Sequence, residues 1–253
     1  MQQFEHTPGS IYFTFFGVPT IIRPSSWLVL LILGSGLGNR LDIMPTLIFM
    51  VAGMLCLLAH EYGHAFCCRA QGGGSSVVEI ASLGGVTISS YPPRTRGGHI
   101  LMVLAGPVSS LLLGIAAGII LGVHLGLPLG KCVVFGMTSP LPFQVPYGII
   151  EWSYIPVWEA MESSGMGNFA LECYSELFFV SVWWSLFNLL PIYPMDGGKT
   201  LYLLTENHRL TGMVGIVVSV LLGIWALQEK MLFTAFICAW FVWLNWQYLR
   251  YSR

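Results

Sequence analysis

The chain has 253 residues, of which 55% are hydrophobic and only 9% charged, with a formal net charge of -1. A soluble domain is typically about 25% charged, so an ordinary water-facing surface is excluded. No basic block or basic helix face occurs, so there is no electrostatic footprint for nucleic acid. Apolar runs close to the ~20 residues that span a bilayer recur along the chain. They predict an all-α polytopic membrane protein of about six transmembrane helices, with a short N-terminal β-hairpin and a re-entrant β region after the second helix.

Residues 1–8 are polar, contain Glu5 and His6, and lack the basic n-region of a cleavable signal. Residues 11–24 are rich in aromatic and β-branched side chains and are broken by Gly17 and Pro19, which predicts two short strands around a turn. The first span follows at 26–37 and ends at Gly36, Gly38 and Asn39. The second, 44–68, carries His60-Glu61-Tyr62-Gly63-His64 near a polar end that enters protein or water rather than lipid. Residues 69–98 contain Gly72-Gly73-Gly74, Gly84-Gly85 and Pro92-Pro93 and do not read as helix. Non-helical backbone at membrane depth must be buried in protein or line a wet cavity.

The third span, 99–126, holds Gly106-Pro107, where proline removes a backbone donor and predicts a kink. Residues 128–170 form a polar, acidic insertion dotted with Tyr147, Trp152, Tyr154 and Trp158, residue types that collect at membrane–water boundaries. The fourth span, 174–192, leads into a segment ending in Asp196-Gly197-Gly198. The fifth and sixth, 210–227 and 231–249, read as packing scaffold.

Six spans put both termini on one side. That side collects Arg23, Arg69, Arg94, Arg96, Lys199, Arg209, Arg250 and Arg253, and the other only Arg40, Lys131 and Lys230. The excess of cations places both termini in the cytoplasm, with the His64 and Asp196 ends facing the same way and the acidic insertion outward. None of the six cysteines forms a C-x-x-C motif. Cys132 and Cys173 flank the insertion, and an oxidising compartment would permit a disulfide between them.

Residues four apart on a helix share a face. His60 and His64 can therefore offer two imidazole nitrogens to one metal, with Glu61 beside them to take a proton from metal-bound water, the logic of H-E-x-x-H zinc hydrolases. Ionisable residues inside an apolar span are costly and are functional candidates by default; two histidines hydrogen-bonded in a bundle are the blander alternative. A catalytic zinc takes three protein ligands and keeps one position open. His6 lies in the N-terminal tail, His99 and His208 at the cytoplasmic ends of spans, and His124 near the outer end of span three. Asp196 closes an apolar span at a depth similar to His64, and two glycines after it allow close backbone approach. Asp-Gly is equally a turn signal, so spacing alone leaves its role open.

Together, His60-Glu61-Tyr62-Gly63-His64 and Asn188-Leu-Leu-Pro191-Ile-Tyr-Pro194-Met-Asp196-Gly197-Gly198 resemble the site-2 protease (M50) family of intramembrane zinc metalloproteases. Leu83-Gly84-Gly85-Val86 and Ala105-Gly106-Pro107 add to the likeness, which covers most of residues 11–200. The resemblance implies one Zn2+ per chain held by His60, His64 and Asp196, with Glu61 as general base. It also implies a substrate-binding cleft lined by Asn188 and by strands near Gly84 and Gly85, and regulated cleavage within or near the membrane segment of a single-pass protein. An extended substrate needs replacement backbone bonds, and an open sheet edge supplies them.

Where family members often carry asparagine three residues after the Gly-Pro, this chain has Ser110, which implies different substrate contacts. With no room for a PDZ domain and no CBS-like domain after span six, the chain resembles the compact, sporulation-factor-protease-like subgroup. A multi-pass protein of a bacterial inner membrane is implied, with gating left to a regulatory membrane partner or to the insertion. A CAAX-type protease would draw its third ligand from a later glutamate, but Glu172 and Glu176 fall on the outer side. An inactive transporter or scaffold is opposed by the intact set His60, Glu61, His64 and Asp196.

Overall fold

The computed structural model describes residues 7–35, 42–82, 84–138 and 146–251. His6, Gly36, Gly38, Asn39, Arg40, Leu83 and Arg253, singled out above, lie outside them. The predicted hairpin comprises β1 (Ile11–Phe15) and β2 (Val18–Ile22), antiparallel with Phe15 opposite Val18. The two residues between them have positive φ, 44° at Phe16 and 78° at Gly17, the backbone that two-residue hairpin turns require. The re-entrant region gives β3 (Ser76–Ala81) and β4 (Gly84–Ser89), also antiparallel.

The two hairpins, read from sequence as separate, form one sheet of order β1-β2-β3-β4, joined by parallel pairing of Thr20–Ile22 with Val78–Ile80. The all-α expectation is corrected to that extent. Parallel pairing requires a long crossover, here supplied by α1 (Pro24–Gly34) and α2 (Ile43–Ala70). The sheet packs on both helices through Val18, Ile22, Leu30, Met54, Leu57, Tyr62, Ala65, Val78 and Ile80. The Tyr62 hydroxyl lies 2.8 Å from that of Thr20.

Four helices among the described residues are long and apolar enough to cross a membrane: α2, α3 (Arg96–Leu125), α9 (His208–Gln228) and α10 (Leu232–Tyr251, counted to Arg250). Their outer faces carry exposed Leu112, Val217, Leu221 and Phe236, a pattern that lipid accommodates and water does not. The six expected spans are thus four by length and composition. The first, α1, has eleven residues, about 17 Å of helix against a ~30 Å hydrocarbon core. The fourth, α7, runs Asn168–Asn188, earlier than expected. It is long enough but falls short in hydropathy because Glu172, Glu176 and three serines interrupt it. α7 packs against α2, α3 and the helix Leu129–Thr138.

The 128–170 insertion is more helical and less polar than its sequence suggested. Its described residues form α4 (Leu129–Thr138), α5 (Tyr147–Ile149), a π-helical turn (Ile150–Tyr154) and α6 (Ile155–Ser164). Cys132, Phe135, Val157 and Met161 join Leu121, Leu125 and Leu171 in a second apolar core. Cys132 and Cys173 are both free thiols. Pro107 sits inside α3. One further helix, α8 (Asp196–Thr205), begins at the Asp-Gly that sequence reading left as a possible turn.

Candidate metal centre

The motif on α2 works through its helical spacing. His60 and His64 lie four residues apart, their rings 4.8 Å apart at 84°, with both Nε2 atoms pointing to one spot 3.2 Å from each other. The intervening residues serve packing. Tyr62 faces the sheet core, and Gly63 lets α3 come close, since a Cβ there would lie 2.3 Å from the Ala105 carbonyl oxygen. Gly106 performs the same service from the α3 side. A Cβ on it would stand 2.2 Å from His64 Nε2 and 2.9 Å from His60 Nε2.

The third group comes from α8. Asp196 is its first residue and is 3% exposed, with its carboxylate at the helix N-terminus, where the dipole favours negative charge. Its Oδ2 lies 3.0 Å from His60 Nε2 and 3.3 Å from His64 Nε2. Its Oδ1 accepts from Lys199 Nζ at 3.1 Å. His60, His64 and Asp196 are the one group of three or more potential ligands found among the described residues.

The donor set fits a zinc ion. Bonds of 2.0–2.1 Å in a tetrahedral site place neighbouring ligand atoms roughly 3.3 Å apart, and the three spacings here are 3.0, 3.2 and 3.3 Å. The supporting hydrogen bonds fit as well. A carbonyl oxygen can only accept, so His64 Nδ1–H donates to Met102 O at 2.8 Å, leaving Nε2 with its lone pair for a metal. His60 Nδ1 lies 3.4 Å from Ser110 Oγ, which is itself 2.8 Å from Ser185 Oγ.

Glu61 is 4% exposed and is held from the sheet. The Thr87 hydroxyl is 2.7 Å from Glu61 Oε2 and 2.9 Å from the Glu61 carbonyl oxygen. Gly85 leaves space for the side chain: a Cβ there would be 2.3 Å from Glu61 Cγ and 2.6 Å from Oε1. β4 therefore positions the glutamate as well as walling the site.

These groups open onto a cavity of about 920 Å3. Its polar wall includes His60, Glu61, His64, Asp196 and Lys199, and its apolar wall comes from α1, α7 and α10. Asn188, Gly84 and Gly85 line it, with Asn188 Nδ2 donating to Trp184 O at 2.9 Å. His99, read as an interfacial residue, also lines it. Ser110 does not. It is fully buried behind the His60 ring, where its hydroxyl meets His60, Ser185 and its own helix. Sequence reading also passed over Thr87 and Lys199. Lys199 follows Asp196 by one helical turn, a spacing that could have found it; nothing local marks Thr87.

Two histidines of a membrane-length apolar helix and an aspartate at the start of α8 thus form a group that could hold one metal ion. The model of Peptidase family M50 matches residues 48–227, and the chain belongs to that family. The fold is similar to that of the Site-2 Protease from Methanocaldococcus jannaschii, with a TM-score of 0.54 and 18% identity over 94% of each chain. The "Putative zinc metalloprotease sll0528" of Synechocystis sp. is 26% identical over 196 residues, which are 74% of this chain and 41% of that protein. The chain thus spans less than half the length of this relative. The resemblance read from the two motifs is borne out at the level of family and fold.

Proposed function

We propose that the chain is an intramembrane zinc metalloendopeptidase that cleaves membrane-anchored proteins within or near their transmembrane segments. The observation that carries this reading is the placement of two imidazole nitrogens and one carboxylate oxygen at 3.0–3.3 Å, beside a buried glutamate and at the wall of a cavity walled by apolar helices. His60, His64 and Asp196 would hold one zinc per chain, which when bound would supply Lewis acidity toward a peptide carbonyl and lower the pKa of water toward neutrality.

The protein groups do the rest. Glu61 is the general base. Thr87 occupies its Oε2, so Oε1, on the Gly85 side, is the atom that receives a proton and hands it to the leaving amine. β4 is an edge of its sheet and lines the cavity, so an unwound substrate can add to it as a strand, replacing the hydrogen bonds lost with its helix. Gly84 and Gly85 let that strand approach, and Asn188 stands at the same cavity to hold it. The apolar walls keep bulk water from competing.

The membrane arrangement belongs to this reading. α7, packed against α2, α3 and α4, crosses as a fifth helix, with Ser175, Ser181 and Ser185 buried in protein, Glu176 half-buried and Glu172 exposed near its outer end. α1 enters partway beside α2. The cation excess puts the metal centre and the C-terminal end of α10 toward the cytoplasm and the α4–α6 cap outside a bacterial inner membrane. That cap is the surface open to a regulatory membrane partner.

The test is metal content and cleavage of a transmembrane model substrate by detergent-purified protein. Wild type and Glu61→Gln should each carry about one zinc, as single-zinc hydrolase sites do, and only wild type should cut. A wild type without zinc, or cleavage that survives the substitution, refutes the mechanism.

A further inference from the structure

The two histidines come from one helix, but Asp196 depends on a loop, 189–195, that connects α7 to α8. What fixes that loop lies on the last helix. Asn245 of α10 is fully buried, in a segment apolar enough to cross a membrane, where an amide is costly unless its bonds are made. Its bonds are made to the loop. Asn245 Oδ1 accepts from Tyr193 N at 3.1 Å, and Nδ2 donates to Tyr193 O at 2.7 Å and to Phe241 O at 2.9 Å. One side chain thus satisfies both backbone groups of Tyr193. The Tyr193 ring stacks on Tyr248 of the same helix, centroids 4.1 Å apart at 20°.

The grip passes to Asp196 through backbone packed without side chains. A Cβ on Gly198 would lie 2.5 Å from the Ile192 carbonyl and 2.6 Å from Tyr193 N, and one on Gly197 would lie 2.1 Å from the Leu189 carbonyl oxygen. The first turn of α8 is therefore seated directly on the loop, and a displaced Tyr193 displaces it. Room for the amide is made from α9: a Cβ on Gly215 would stand 2.1 Å from Asn245 Oδ1.

We infer that Asn245 is a positioning residue for the metal centre: by clamping the backbone of Tyr193, α10 sets where Asp196 meets the histidine pair. The inference rests on the zinc reading above. Phe241 and Leu244, its neighbours on α10, line the cavity, so one helix touches both the substrate space and the mount of the third ligand.

The test is a double-mutant cycle on zinc affinity, read by chelator competition on the full chain in detergent, with circular dichroism and thermal melting as the check on folding. Asn245→Leu keeps the volume and removes the bonds. It should weaken zinc about 10- to 100-fold, as loss of an outer-shell partner does. In an Asp196→Ala background the same substitution should have no further effect, because the ligand it positions is gone. Ser219→Ala, on α9 at the same helix pair but bonded only to Gly215 of its own helix, should leave affinity unchanged. If Asn245→Leu yields no folded protein, Gly215→Ala drives the amide off its seat from the other side and reads the same quantity. Wild-type zinc affinity in Asn245→Leu, or an equal loss with and without Asp196, overturns the inference alone. A wild type that holds no zinc overturns it together with the proposed function.

Discussion

The two halves of the candidate metal centre are built in opposite ways. The histidine half is local: His60 and His64 share one face of α2, and the rotation of a single helix brings their nitrogens to 3.2 Å. The aspartate half is assembled. It needs the end of α7, the loop 189–195, the start of α8 and the inner face of α10 to coincide. A local half survives as long as its helix does, while an assembled half is as stable as its weakest contact. The centre is therefore expected to fail from the aspartate side first, and each half should respond to different substitutions.

The largest effect should come from closing the histidine half. Gly106→Ala puts a methyl where the imidazoles converge, so zinc should be undetectable by metal analysis and cleavage absent, while the helical circular dichroism signal stays. Retained zinc would mean that α3 can move away and that the half is less rigid than its geometry implies.

Asp196→Ala should weaken zinc by about 100-fold or more, beyond the 10- to 100-fold expected for an outer-shell partner, yet leave chelator-sensitive binding by the histidines. Equal losses for Gly106→Ala and Asp196→Ala would erase the distinction between the halves.

Gly85→Ala crowds Glu61 without touching the ligands. Turnover should fall by about 100-fold, within the range of a displaced general base, with zinc content unchanged. A parallel loss of zinc would place the effect in the metal site rather than the base. The smallest effect is expected at Ser110→Ala, which removes a 3.4 Å contact to His60. Such a weak bond lies at the bottom of the hydrogen-bond range, so zinc affinity should change by only about threefold. A larger change would show that the buried hydroxyls of Ser110 and Ser185 tune the histidine half.

The same division explains what the sequence could say. Helical periodicity is local, so the pairing of His60 with His64, the presence of Glu61 between them and the long apolar helices α2, α3, α9 and α10 were all legible. So were the two hairpins, because turn residues interrupt alternating strands. The resemblance of two motifs brought in Asp196, whose role its own neighbourhood could not decide between ligand and turn. Contacts between distant segments left no local trace. The parallel joining of β2 to β3, the hold of Thr87 on Glu61 and that of Asn245 on Tyr193 depend on residues 26 to 58 positions apart. The burial of Ser110 left no local trace for a related reason. A motif gives a position on a helix, but which way that face points is fixed only by how α3 packs on α2 and α7. The 128–170 insertion looked polar by count, whereas its apolar residues were spaced to meet Leu121 and Leu125.

If substrates add to the open edge of β4 as proposed, that edge would also govern where they are cut. Backbone pairing along an edge is blind to side-chain identity, but it imposes a period of two. A peptide paired there would turn alternate residues toward the catalytic wall and the rest away, and a slip of one residue would exchange the two sets. Preference would then be written in the phase of the substrate rather than in a fixed word of sequence. Tolerated cut sites in one substrate would be separated by two residues, and a one-residue insertion upstream would silence a site that a two-residue insertion leaves usable.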